Sequence, residues 1–82
     1  MVQQLQEAQQ RKLRIIRRKE VELRLSISRS TIYDRLDPRS PRHDPSFPRP
    51  ISLGGASRCI GFVESEVDAY IAALIEQSRE AA

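Results

Sequence analysis

The chain has 82 residues, of which 30% are charged and 39% apolar, with a formal net charge of +3. A chain of this length forms one domain that buries roughly 60% of the surface its unfolded form exposes, which leaves little room for a deep catalytic pocket. No apolar run approaches the ~18–20 residues of a membrane span, and the opening MVQQLQEAQQ lacks the apolar centre of a secretory signal, so the protein is expected in the cytoplasm.

The charge is unevenly placed. Residues 11–49 carry twelve of the fourteen Arg and Lys residues against five acids, whereas residues 60–82 carry Arg79 against Glu64, Glu66, Asp68, Glu76 and Glu80. A basic half beside an acidic half suits a polyanionic partner on one side. Twelve of the fourteen basic residues are arginine, whose planar fork matches phosphate and guanine; a GC-rich genome would give the same bias.

Residues 1–12 are Gln-rich with a thin stripe of Val2, Leu5 and Ala8, expected as a frayed helix or flexible tail. Leu13–Arg17 (LRIIR) is a brief strand or an extended entry to the first helix. Arg18–Leu25 reads as a short helix with Val21 and Leu25 inward at i,i+4; Leu23 falls off that stripe. Ser26-Ile27-Ser28 forms a tight break, and Ser28 is a good cap for a second helix, Arg29–Leu36. There Ile32 and Leu36 face inward, joined by Ile27 from the turn, and Arg29, Ser30 and Tyr33 face outward.

Asp37–Pro50 holds all five prolines, so neither a helix nor a central strand continues through it; an extended loop is expected. Ile51-Ser52-Leu53, the turn Gly54-Gly55 and Arg58–Val63 read as a β-hairpin. Glu64–Arg79 is the clearest helix: Val67, Tyr70, Ile71, Leu74 and Ile75 form one apolar stripe, and Glu64, Glu66 and Asp68 crowd the first turn, where the helix dipole favours acids. Either Ser65 caps it, with Asp68 three residues on, or Glu64 is its first helical residue. The expected core unites Ile32, Phe62, Val67 and Ile71. The domain spans 13–79, with a flexible or frayed-helical tail at 1–12 and a short tail at 80–82.

Two short helices joined by a three-residue turn fit a helix-turn-helix, whose second helix enters the DNA major groove. Val21, Leu25, Ile27, Ile32 and Leu36 brace the pair, and the second helix offers its free N-terminal amides to a phosphate. The hairpin then makes a wing. The fold class is mainly α with a small β-hairpin, a single-domain winged helix-turn-helix.

The chain also resembles a known family, the AlpA-type phage and prophage transcriptional regulators, relatives of the small excisionases. The resemblance covers Ile15–Ile75 and is carried by RRKEV (Arg17–Val21), SRSTIYDRL (Ser28–Leu36), FPRPISLG (Phe47–Gly54) and GFVESEVDAYI (Gly61–Ile71). It implies a winged helix-turn-helix of the MerR-like kind, with SRSTIYDRL as recognition helix and Gly54–Arg58 as wing. It also implies binding to promoter or attachment-site DNA of a phage or prophage, as a transcriptional regulator or as an excisionase-like architectural factor. The chain departs from the family pattern at Ser26, where glycine is frequent, at Phe62 and Tyr70, where tryptophan is common, and at Asp34, where arginine is frequent. Its Pro-rich loop is longer than the shortest family versions.

On this reading the DNA contacts are Arg29, Ser30, Thr31, Tyr33 and Arg35 on the recognition helix and Arg58 on the hairpin. Arg18, Lys19, Ser28, Arg39 and Arg42 add weaker contacts to the DNA backbone. The partner is double-stranded DNA in the nucleoid, with self-association on DNA as a further expectation and no membrane or small-molecule substrate. No catalytic set, cofactor or metal site is expected. Cys59 reads as a small half-buried apolar residue and His43, alone in a Pro-rich segment, as a solvated loop histidine. The competing reading is a protein-interaction module, an adaptor or anti-repressor, using the acidic C-terminal helix and no DNA.

Overall fold

The computed structural model describes residues 13–55 and 58–81. The expected N-terminal tail, the centre of the expected hairpin tip at residues 56 and 57, and residue 82 lie outside these. The elements run β1 (Ile15–Ile16), α1 (Arg18–Leu25), α2 (Arg29–Leu36), β2 (Ile51–Ser52), β3 (Ile60–Val63) and α3 (Glu64–Ala81). Three helices pack with a three-stranded antiparallel sheet of order β1–β3–β2, which is a winged helix-turn-helix.

Within the LRIIR run, Ile15 and Ile16 form a two-residue strand. Ile15 pairs with Val63 and Ile16 with Phe62. The pleat turns Ile16 into the core and leaves Ile15 on the outer face. On the other side Ile51 pairs with Gly61 and Ser52 with Ile60, and the Leu53 N–H donates to the Cys59 carbonyl at 3.0 Å. The return strand starts later than the sequence predicts, with Arg58 and Cys59 preceding it. Gly54 and Gly55 sit at φ 88° and 74°, a region that strains any residue with a Cβ. Gly61 is required for a different reason: a Cβ there would run into the Ile15 side chain and press on Leu53. The two outer strands close over the central one at that point.

The turn between α1 and α2 is made by one left-handed residue, Ser26, at φ 54°, ψ 42°. The N–H groups of Ser26 and Ile27 both donate to the Glu22 carbonyl, closing the end of α1. Ser28 is extended, and its hydroxyl accepts from the Thr31 N–H at 3.3 Å, capping α2 as its sequence position predicts. Leu23, off the apolar stripe, points into solvent at 74% exposure.

Phe62, Ile32, Val21 and Val67 are the largest fully buried side chains, one from each of β3, α2, α1 and α3. Ile16, Phe47 and Tyr70 complete the core, with Leu25, Ile27, Leu36, Ile71 and Leu74 packed around it. Of the expected quartet, Ile71 sits at the rim rather than the centre. Truncating one of the central residues to alanine would cost about 2–5 kcal/mol, a large share of the roughly 5–15 kcal/mol that holds a domain folded.

The Pro-rich segment is a loop, but it is not extended. Asp37, Ser40 and Asp44 precede or sit beside prolines, and their side chains accept from the backbone N–H two residues on: Asp37 from Arg39, Ser40 from Arg42, Asp44 from Ser46. Backbone bonds of the i,i+3 kind close the same turns. These residue types fold locally this way, so the segment is a chain of turns. It caps the C-terminal end of α2, where carbonyls lack helical partners. The Arg35 carbonyl accepts from the Asp44 N–H at 2.9 Å and from His43 Nδ1 at 3.0 Å. A carbonyl only accepts, so His43 carries its proton on Nδ1. His43 is therefore a half-buried capping residue, not the solvated one expected.

The loop is fastened by Phe47, 3% exposed, whose ring meets Tyr70 edge-on at 4.9 Å. The Tyr70 hydroxyl donates to Asp44 Oδ2 at 2.7 Å and accepts from Arg35 Nη1 at 3.1 Å. Helix α3 begins at Glu64, whose N–H donates to the Arg14 carbonyl at 2.7 Å. Arg24, in the last turn of α1, reaches Glu20 at 3.3 Å, Glu64 at 2.8 Å and Asp68 at 3.3 Å. Glu64 and Asp68, two of the acids crowding the start of α3, are thus paired with the first helix, at helix ends that suit both signs.

Two outcomes follow for stability. Ser26→Gly, which relieves the left-handed serine, should stabilise the protein by up to about 1 kcal/mol in urea denaturation. Asp44 is held below its ordinary pKa of 3.8 first by the Ser46 hydroxyl and then by the Tyr70 hydroxyl, against opposing burial. A depressed folded pKa contributes stability above the unfolded value that is lost as pH falls through the folded one. Asp44→Asn should therefore be less stable than the parent at pH 7, and the gap should close on acidification below 3.8, followed by urea denaturation across pH.

Candidate nucleic-acid interface

Helix α2 has no acidic residue in its first turn, whereas those of α1 and α3 carry Glu20 and Glu64 with Glu66. The positive end of its dipole is unopposed by any local carboxylate. Around it the Ser28 hydroxyl lies 3.2 Å from that of Ser30 and 3.0 Å from that of Thr31, so three small hydroxyls crowd the exposed helix start. Because Ile32 is fully buried, Arg29 and Tyr33, four residues apart, share one exposed flank, and Ser30 points away from the core. The Arg29 guanidinium sits 5.6 Å above the Tyr33 ring, a cation–π arrangement.

Tyr33 is 40% exposed and joins α2 to a groove lined by Arg17, Arg18, Lys19, Arg58, Cys59 and Ile60. One wall is the start of α1 and the other is the entry to β3. The Arg17 guanidinium bridges them, approaching the Cys59 sulfur at 4.0 Å. Arg18 is held by Glu22 at 3.0 Å and lines the groove with Tyr33. The Arg18 guanidinium, and secondarily Arg29, lowers the Tyr33 phenol pKa below its ordinary 10.0 against the opposing effect of burial.

Among the residues named from sequence, Tyr33, Arg18, Lys19 and Arg58 line this single groove, Arg29 adjoins it through the Tyr33 ring, and Ser28, Ser30 and Thr31 form the helix start beside it. Others are placed differently. Arg35 donates to the Tyr70 hydroxyl and lies 5.9 Å over the Phe47 ring, in a second concavity that it shares with Tyr33 and Arg49. Arg42 pairs with Asp34 at 3.3 Å, and the Arg39 N–H is tied to Asp37; both belong to the loop. Sequence reasoning passed over Arg17, although it heads the Arg17-Arg18-Lys19 run just ahead of α1, and Arg49.

Arg18, Arg24 and Arg42 have carboxylate partners. Among the described residues the other nine cations make no ion pair, and four of the nine are Arg17, Lys19, Arg29 and Arg58. These four gather around Tyr33 and the start of α2. A larger concavity lies between the loop and α3, walled by Phe47, Pro48, Ala69, Ala73 and Leu74, without such a cluster of charge. Among the described residues no group of three His, Cys, Asp or Glu side chains could hold a metal ion, and no helix is long and apolar enough to cross a membrane.

Comparison with known proteins agrees with this architecture. Residues 14–75 match the family model described as the Prophage CP4-57 regulatory protein (AlpA). Over 59 residues the chain is 41% identical to the "DNA-binding transcriptional activator AlpA" of Escherichia coli strain K12, a match that covers 72% of this chain and 81% of that relative. No solved structure gives a significant match. The matched region runs from the residue before β1 into the middle of α3 and so takes in the helix-turn-helix, the loop and the hairpin: the chain belongs to the AlpA family of prophage regulatory proteins.

Proposed function

We propose that the protein regulates transcription by binding duplex DNA sequence-specifically, with α2 in the major groove and the β2–β3 hairpin on the flanking DNA. The carrying observation is the gathering of the unpaired cations Arg17, Lys19, Arg29 and Arg58 around an acid-free helix start. Unpaired cations at a helix N-terminus are what a phosphate backbone needs, because neutralising phosphates releases condensed counterions and the helix amides add donors. The similar E. coli protein is named as a DNA-binding transcriptional activator, which favours a control region as the target over the adaptor or anti-repressor reading. Promoter or attachment-site DNA, and self-association on it, fit a domain too small to cover a long site alone.

The roles divide by geometry. Arg29, Ser30 and Tyr33 face the base edges, Thr31 and Ser28 approach the backbone at the helix start, and Arg17, Arg18, Lys19 and Arg58 hold the strand that passes between recognition helix and wing. Arg35 serves the loop and Tyr70 in this reading, and Arg39 and Arg42 lie at the margin.

Arg29→Ala should weaken binding to the best site by about 1–3 kcal/mol and relax preference at one base pair, read by competition binding with single-base variants of that site. Wild-type affinity in that variant would remove Arg29 from base reading. Arg58→Ala should weaken binding to all duplexes alike and reduce the slope of log K against log salt by about one unit. An unchanged slope with the fold intact would make the hairpin purely structural.

A further inference from the structure

Tyr33 lines two concavities. One, toward the hairpin, holds Arg17, Lys19 and Arg58. The other, toward the Pro-rich loop, brings Tyr33 together with Arg35 and Arg49, and the reading above gives it no part. The carboxylate that lines it, Asp44, is already occupied: Oδ1 accepts from the Ser46 N–H and hydroxyl, and Oδ2 from the Tyr70 hydroxyl. Arg35 is drawn to the Tyr70 hydroxyl and the Phe47 ring. Arg49 is exposed, and among the described residues it makes no ion pair, even though Glu66 lines the larger concavity against α3 with it.

The backbone that carries this charge is anchored on both sides. Pro48 and Pro50 fix their own φ and restrict the residue before each of them. Phe47 and Pro48 are buried, and Ile51 is held in the sheet by its pairing with Gly61. Little backbone freedom is left at residue 49 to lose when an anion arrives, which favours binding. An α-helix with its side chains is about 10–12 Å across, and the major groove of B-DNA is about 12 Å wide. A helix lying in that groove therefore has a sugar-phosphate strand along each of its sides.

We propose that the concavity walled by Tyr33, Arg35 and Arg49 is a second phosphate site, which takes the DNA strand on the far side of the major groove from the hairpin. Arg49 is its direct contact, and Arg35 adds positive charge from the wall. The Pro-rich loop then has two tasks: it closes the C-terminal end of α2 and it brings a cation to the flank that the hairpin does not reach. The inference rests on the DNA reading above and goes beyond it by adding a second strand and a residue outside both recognition helix and hairpin. Its test is interference, phosphate by phosphate, on the tightest-binding duplex selected from a random-sequence pool, with single phosphates replaced by neutral methylphosphonates. The parent protein should show two clusters of sensitive positions, one on each strand, bordering the same major groove. Arg49→Ala should erase one cluster and Arg58→Ala the other, and each should reduce the slope of log K against log salt by about one unit. Arg49→Lys, which keeps the charge, should keep both clusters.

Arg49→Gln, which keeps most of the aliphatic stem, replaces the alanine variant if a thermal melt shows that variant unfolded. The inference is overturned if Arg49→Ala retains both clusters and the parent slope, or if Arg49→Ala and Arg58→Ala erase the same cluster. A parent protein sensitive on one strand alone also overturns it, while leaving the DNA reading standing. If the parent protein binds no duplex, the DNA reading itself fails and takes the inference with it, a result visible before any Arg49 variant is made.

Discussion

The burial of Ile32 sets how α2 is rotated, and most of the molecule is arranged around it. Ile32 meets Val21 from the bracing helix, Phe62 from the central strand and Val67 from the last helix in one fully buried group. With that residue inward, a period of 3.6 leaves Arg29 and Tyr33 together on one flank and Ser30 opposite the core. A side chain smaller than isoleucine would leave a cavity at the point where all three helices and the sheet converge. Shifting the rotation of α2 would bury polar side chains and expose apolar ones. The chemistry of the exposed face is therefore a consequence of packing behind it.

The two ends of α2 are treated oppositely. At the C-terminal end the turns of residues 37–50 bring the Asp44 N–H and His43 Nδ1 to the Arg35 carbonyl. Phe47, Tyr70, Asp44 and the Arg35 side chain then lock those turns to α3. At the N-terminal end only the Ser28 hydroxyl intervenes, and no acid stands near it in the first turn. Positive charge is likewise sorted. The carboxylates at 20, 22, 34, 64 and 68 are taken up by Arg18, Arg24 and Arg42, and among the described residues Arg17, Lys19, Arg29 and Arg58 around Tyr33 make no ion pair. One helix end is closed by protein, and the other is left exposed.

Features with local causes were legible in the sequence. The Ser28 cap, the inward Ile32 and Leu36, the break at Ser26 and the apolar stripe of α3 from Val67 to Leu74 each follow from residue type and spacing, whereas Ile75, expected on the same stripe, is 45% exposed. What was not legible depends on contacts distant in sequence. LRIIR becomes a strand only because β3, more than forty residues later, offers an edge to it. Phe47 looks like one more residue of a polar loop until Tyr70 is placed beside it. Arg35 and Arg29 look equivalent on one helix, and only the position of Tyr70 and Phe47 draws Arg35 away. Likewise the acids at the head of α3 read only as partners of the helix dipole until Arg24 reaches Glu64 and Asp68. The grouping of Tyr33 with Arg18, Lys19 and Arg58 joins three segments that no single periodicity connects.

The central claim is that the face built by the start of α2, Tyr33 and the entry to β3 is the surface that meets duplex DNA. The most direct measurement is an NMR titration of the isotopically labelled protein with a duplex from the control region beside its own gene. The account predicts that the largest amide and arginine side-chain shifts fall at residues 17–19, 28–33 and 58, while residues 73–80 of α3 barely move. Shifts concentrated on α3 and the loop at 44–50, with the α2 start unaffected, would contradict it.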